Sequence, residues 1–98
     1  MRARFLTIAE VEATEAAEYY EAQELGLGAE FVEELQKTEN RIIEHPNAWS
    51  PSSRGTRSCQ MKRFPYSIIY RALSGEILVV AIHNHSRDPR RWEERVFE

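Results

Sequence analysis

The apolar residues of this chain change their period once, and that change limits the fold more than any other feature. Up to Pro46 they recur at three- and four-residue spacing; from Arg57 onward they alternate. A chain that is helical first and strand-forming later folds as α+β, not as a series of alternating βαβ units. The predicted first helix covers about 9–24. Its narrow apolar stripe is Ala9, Ala13, Ala16, Ala17 and Tyr20, with Glu10, Glu12, Glu15, Glu18, Glu21 and Glu24 on the remaining faces. Small alanines on a buried stripe allow close approach to a neighbouring helix.

That neighbour is expected directly after Gly26-Leu27-Gly28, where glycine supplies the backbone freedom that ends a helix. The second helix is predicted over about 28–45, with Phe31, Leu35, Thr38 and Ile42 on one face, and Pro46 stops it. So short a connection predicts an antiparallel helical hairpin. Ala3 to Ile8 reads as a short first strand, and Thr7-Ile8-Ala9-Glu10 has the pattern of a capping box. Residues 46–56 read as a loop. Three strands follow, near 57–63, 66–72 and 77–83, with Ser74-Gly75 as a turn and Ile77–Ile82 as the longest apolar run. A tail near 89–95 has room for one or two helical turns. The expected fold is therefore α+β, in the order β-α-α-β-β-β. Its helical hairpin packs on one face of a mainly antiparallel four-strand sheet, a short C-terminal tail follows, and the other sheet face is left for function.

At 98 residues the expectation is a single domain, 1–98. A hydrophobic share of 42% and a charged share of 30% are those of a globular chain, not a disordered one. No apolar run approaches the roughly 20 residues of a membrane-spanning helix, and the basic Met1-Arg2-Ala3-Arg4 is not followed by a secretory core. The one cysteine, Cys59, can form neither an internal disulfide nor a cysteine-based zinc site, which fits a cytoplasmic location. The charge is asymmetric. Residues 1–46 carry a balance of −7 and residues 47–98 a balance of +4, which points a basic face at an acidic partner or at nucleic acid.

Two groups of residues could carry chemistry. His83 and His85 fall on one face of a strand, where they can hold a metal or act as an acid–base pair. Without a third ligand nearby they read as polar side chains at a strand end, and neither a metal nor a cofactor is expected. Lys62, Arg63, Arg71, Arg87, Arg90, Arg91 and Arg95 form the second group, several of which can converge where strands and tail meet, with guanidinium groups suited to phosphates or carboxylates. Trp49 and Trp92 read as packing anchors, and Tyr66 and Tyr70, of one strand parity, as core.

Several segments, in order, resemble the RelE/ParE superfamily of toxins from bacterial toxin–antitoxin (plasmid stabilisation) systems. They are Glu15-Ala16-Ala17-Glu18-Tyr19-Tyr20, then Gly26-Leu27-Gly28 with Phe31, then Pro46 with Trp49. Lys62-Arg63-Phe64-Pro65-Tyr66-Ser67-Ile68-Ile69-Tyr70 is the most specific of them, and Arg87-Asp88-Pro89 with Trp92 and Arg95 closes the series. The resemblance covers nearly the whole chain and implies the same α+β fold. It also implies a growth-inhibiting toxin neutralised by a cognate antitoxin. RelE-like members cut messenger RNA on the ribosome; ParE-like members bind and inhibit DNA gyrase.

The resemblance further separates the two activities. RelE-like members place two lysines in the strand before the Tyr66 position, an arginine directly after it and a tyrosine near the C-terminus. This chain has Ser58, Gln60, Ser67 and Trp92 there. It is thus nearer ParE, acting by binding, with Lys62, Arg63, Arg71, Arg87, Arg90, Arg91, Trp92 and Arg95 as the residues implied to bind target or antitoxin. If it were a nuclease acting on ribosome-bound messenger RNA, Arg87, His83, His85 and Lys62 would have to carry the reaction. Many ParE-like sequences have a histidine three residues before the arginine; here Asn84 stands there between His83 and His85, so the register is shifted or the role is lost. A third reading is a decayed toxin that only binds antitoxin. Arg87, Asp88, Pro89, Trp92 and Arg95 are expected to serve activity more than folding, so that a chain lacking 90–98 should still fold.

Overall fold

A computed structural model describes residues 1–97. The chain enters as strand β1 (Arg2–Phe5) and passes through Leu6 into helix α1 (Thr7–Gln23), then α2 (Leu27–Glu44). After α2 come β2 (Ser50–Pro51), a 3-10 turn at Ser53–Gly55, β3 (Arg57–Gln60), β4 (Tyr66–Leu73) and β5 (Glu76–Asn84). A short helix α3 (Arg90–Glu93) and a 3-10 turn (Glu94–Phe97) end it. The sheet order is β1-β5-β4-β3-β2. The expected α+β class and helical hairpin are present, and the strand count differs. Ser50–Pro51, inside the predicted loop, pairs antiparallel with β3 as a fifth strand, and β1 pairs parallel with β5 from Arg2↔Glu76 to Phe5↔Val79.

The predicted capping box does not form. The α1 N-cap is Leu6, and no side chain caps the helix. The reason lies in the sheet: Leu6 N–H donates to the Val79 carbonyl at 2.9 Å, one step past the β1–β5 register, while the Leu6 carbonyl already accepts from Ala9 and Glu10. Leu6 is the junction, so Thr7 falls inside the helix. At the other hairpin end the Glu21 carboxylate accepts from the backbone N–H groups of Gly26 and Gly28 at 3.0–3.1 Å, a favourable place for negative charge at a helix N-terminus. Gly28 is where the helices touch: a Cβ there would stand 2.6 Å from the Ala17 carbonyl oxygen.

The hairpin packs on one sheet face through Ala9, Ala16, Phe31, Leu35 and Ile42, against Ile68, Tyr70, Ile77, Val79 and Ile82. Phe31 is the hub of an aromatic group, with ring centroids 5.5 Å from Tyr20 and 5.2 Å from both Phe64 and Tyr66. Tyr70 is fully buried and its hydroxyl donates to the Pro46 carbonyl at 2.5 Å. Burial pushes that phenol up to about 12, so it stays a donor. Trp49 Nε1 donates to the Arg41 carbonyl and Arg57 to the Trp49 carbonyl, tying the 46–56 segment to α2 and β3. Cys59 is buried, and burial raises its thiol pKa against the lowering effect of Arg41.

A bulge explains the long apolar run. Ile69 pairs with Ala81 but Tyr70 with Val79, so Val80 is the extra residue on β5. Ile77 and Val79 face the helices, Val80 and Ala81 belong to a second cluster with Ile69 and Trp92, and Ile82 returns to the first. The sheet face expected to be left for function is therefore partly covered: Trp92, only 4% exposed, docks the tail on it. Two side chains of the tail are also anchored. Arg95 grips Glu12 of α1 at 3.0 and 3.2 Å, and Ser53 donates to Glu93 at 2.5 Å.

Candidate functional site

β1 stops opposite Val79, so the far half of β5 continues without that neighbour. The space beside it is an open groove of about 680 Å³ between α1 and the segment following β5. Tyr20, Tyr66 and Ile82 lie along it, with Glu12, Glu15 and Tyr19 from α1 and His83, Arg87, Arg91 and Trp92 opposite. Each wall follows from local structure. Glu12, Glu15 and Tyr19 recur at three- and four-residue spacing on α1. On the other side Asn84 Oδ1 accepts from Ser86 N–H and its carbonyl from Arg87 N–H, turning the chain away from the sheet.

The basic residues do not all come together in one place. Arg87 and Arg91 line the groove, along with Trp92. Arg63 sits in the 61–65 turn at φ 71°, its guanidinium 2.6 Å from Glu30 and 5.3 Å from the Phe64 ring centroid. Lys62 is exposed in the same turn. Arg90 closes on Asp88 with bonds of 2.7–3.2 Å, and those bonds hold the Asp88 carboxyl down at about 2. Arg71 and Arg95 line a second, smaller groove of about 230 Å³ with Leu6, Ile8, Leu78 and Val80. Ion pairing thus absorbs Arg63, Arg90 and Arg95, and it depends on partners up to 83 residues away in the chain.

His83 and His85 do share a face, with ring centroids 6.1 Å apart. His85 Nε2 is 2.7 Å from Ser67 Oγ, and His83 meets the Trp92 ring edge-on at 6.5 Å. Among the described residues no group of three His, Cys, Asp or Glu side chains comes together to hold a metal. Burial lowers the His83 pKa, as do His85 and Arg91, while Glu12 opposes them. A histidine lowered in the folded state contributes stability above the ordinary value of about 6.5 and loses it as pH falls. The wild-type urea midpoint is accordingly expected to drop on acidification below that value by more than the midpoint of His83→Gln does. Parallel pH profiles of the two would show that the ring is not buried neutral.

On the same face the cross-strand pairs are Ser58↔Ile69 and Gln60↔Ser67. They present hydroxyl and amide groups, none of which is cationic or a base near neutral pH. Glu12 is the residue the sequence reading missed. One of its carboxylate oxygens accepts both the Ile82 N–H at 3.1 Å and Arg95 at 3.0 Å, and the other accepts Arg95 at 3.2 Å, so Glu12 joins α1, β5 and the tail. The only available signal was its position beside the alanine stripe.

No helix among the described residues is long and apolar enough to cross a membrane. No curated protein matches the chain. A solved structure described as the chromosomal ParDE TA system from P. aeruginosa shares the fold: TM-score 0.72, 19% identity, 86% of this chain and 95% of that one covered. The family model described as the ParE toxin of the type II toxin–antitoxin system parDE matches residues 4–89. The chain belongs to the ParE toxin family of type II toxin–antitoxin systems.

Proposed function

We propose that this toxin, with 1–98 as one cytoplasmic domain, arrests growth by binding and inhibiting a target such as DNA gyrase, and that a cognate antitoxin neutralises it. The observation that carries this reading is the chemistry of the sheet face away from the helices. Cleavage of a phosphodiester by its 2′-hydroxyl needs a base, an acid and cations at the developing charge. Where RelE-like members are basic, this face offers Ser58, Gln60 and a Ser67 engaged with His85, with Trp92 packed beside them. One positioned acid–base group is worth about 10²–10⁴-fold, so replacing several leaves little catalysis. Arg87 stabilises charge but cannot act as a base. A binder needs only a complementary surface, and the groove with its exposed arginines supplies one.

The test is to induce the protein, map messenger RNA 5′ ends, and assay supercoiling by purified gyrase in parallel. Inhibited supercoiling with intact messenger RNA is expected. New codon-positioned 5′ ends that disappear in a His83→Ala, His85→Ala double variant would replace the binding mechanism with the nuclease.

A further inference from the structure

The tail covers only part of the sheet face that looks away from the helices. Trp92 closes over Ile69, Val80 and Ala81, and the smaller groove opens beside that cluster. Strand pairing sets its floor. Leu78 stands opposite Arg4 of β1 and Arg71 of β4, and Glu76 opposite Arg2 and Leu73, so these side chains share one face. Leu6, Ile8, Leu78 and Val80 make the groove apolar, and Ile8 and Leu73 stay exposed. Its charged lining among the described residues is Arg71 and Arg95, with no carboxylate. The acids beside it are engaged, Glu76 by Arg4 at 2.6 Å and Glu12 by Arg95 at 3.0 Å. The Arg71 guanidinium has no ion pair or hydrogen bond among the described residues. The larger groove differs: it sets Glu12 and Glu15 against Arg87 and Arg91, and so favours neither sign of charge.

We infer that the smaller groove docks the inhibited target protein, taking one apolar side chain between Leu6, Ile8 and Leu78 and a neighbouring carboxylate onto Arg71. The inference rests on the toxin reading above and adds to it where the target is held and by what chemistry. The groove lies on the sheet face whose chemistry carries the binding reading, which makes the target its occupant. Size and lining select the contact. A volume of about 230 Å³ falls below the roughly 300–1,000 Å³ of a small-molecule pocket and suits a single anchoring side chain from a protein surface. Among the described residues no aromatic ring lines it for a base to stack on, which a nucleic acid strand would use. Charge selects the carboxylate, which a guanidinium can bind through two parallel bonds. The first turn of α1, which no side chain caps, opens on the groove through Thr7 and Ile8 and adds to the preference for negative charge.

The whole chain and its variants are titrated against purified gyrase, reading the concentration that halves supercoiling, and against the purified product of the neighbouring reading frame, reading affinity. Arg71→Ala with Ile8→Ala should raise the half-inhibitory concentration about tenfold or more, and inhibition by Arg71→Ala should depend less on salt than wild-type inhibition does. Arg71 makes no side-chain bond among the described residues, so Arg71→Glu alone should stay folded by circular dichroism and still lose inhibition. Lys37→Ala, exposed on α2, should inhibit as wild type does. Affinity for the neighbour's product should not change in any of them. Wild-type inhibition by every groove variant would remove this inference and leave the toxin reading standing. A wild-type chain that neither binds nor inhibits gyrase would remove the target in that reading, and this inference with it. Intact inhibition with lost affinity for the neighbour's product would give the groove to the antitoxin instead.

Discussion

Replacing Trp92 with alanine is expected to cost about 3–5 kcal/mol, the usual range for deleting a buried aromatic ring. Trp92 is 4% exposed and closes the second cluster over Ile69, Val80 and Ala81. Without the ring those residues meet water on the side away from the helices, and Arg95 and Glu93 lose the docked backbone that aims them at Glu12 and Ser53. A domain of this size has roughly 5–15 kcal/mol in total, so the loss should be plain in urea denaturation. Trp92→Phe separates ring from indole nitrogen. Because Nε1 has no acceptor among the described residues, phenylalanine gives up no hydrogen bond and should retain most of the stability. A cost below about 0.5 kcal/mol for the alanine variant, the range of ordinary surface changes, would mean that the tail is only attached to the sheet and adds nothing to its core.

That result bears on the expectation that a chain lacking residues 90–98 still folds. Terminal segments contribute little unless docked, and here the segment is docked by Trp92, Glu93 and Arg95. Glu98 lies outside the described residues. A truncation would therefore confound toxicity with stability, and point substitutions at Arg87 and Arg91 are the cleaner probe of function.

What could be read from the sequence depended on how local the cause was. The change of period gave the α+β class, and Gly26-Leu27-Gly28 and Pro46 bounded the helices to within two residues, because capping and breaking are short-range effects. The capping box failed because the competing bond, from Leu6 to Val79, spans most of the chain. The strand predicted near 57–63 stops at Gln60, not Arg63, since Met61 N–H reaches the Tyr66 carbonyl and Arg63 takes a left-handed turn. The Val80 bulge is a matter of register between two strands, and two-residue β2 carries too little pattern to detect. The site divides the same way. Arg87 and Trp92 were visible through the family resemblance, and Arg91 through the group of basic residues near the end of the chain. Glu12 was hidden among equivalent glutamates, and the pairing of Arg63 with Glu30 and of Arg95 with Glu12 exists only once the helices have packed on the sheet.

Phe31 offers the other large effect, and it connects the core to the groove. The ring is fully buried at the centre of the aromatic group, in contact with Tyr20, Phe64 and Tyr66. Phe31→Ala should cost about 3–5 kcal/mol through lost transfer energy and the cavity left behind, with aromatic pairs adding roughly 0.5–1.5 kcal/mol each. Tyr20 and Tyr66 also line the groove, so the packing that Phe31 supplies on one side sets where those rings stand on the other. Phe31→Leu keeps most of the volume and should stay folded with a smaller loss, about 1–3 kcal/mol for a shape change in a packed core. If the aromatic group positions the groove, this milder variant should bind the antitoxin more weakly even at temperatures where it is fully folded. Wild-type affinity in a folded Phe31→Leu chain, with only the melting temperature lowered, would confine the group to stability and leave Arg87 and Arg91 to position a partner without it.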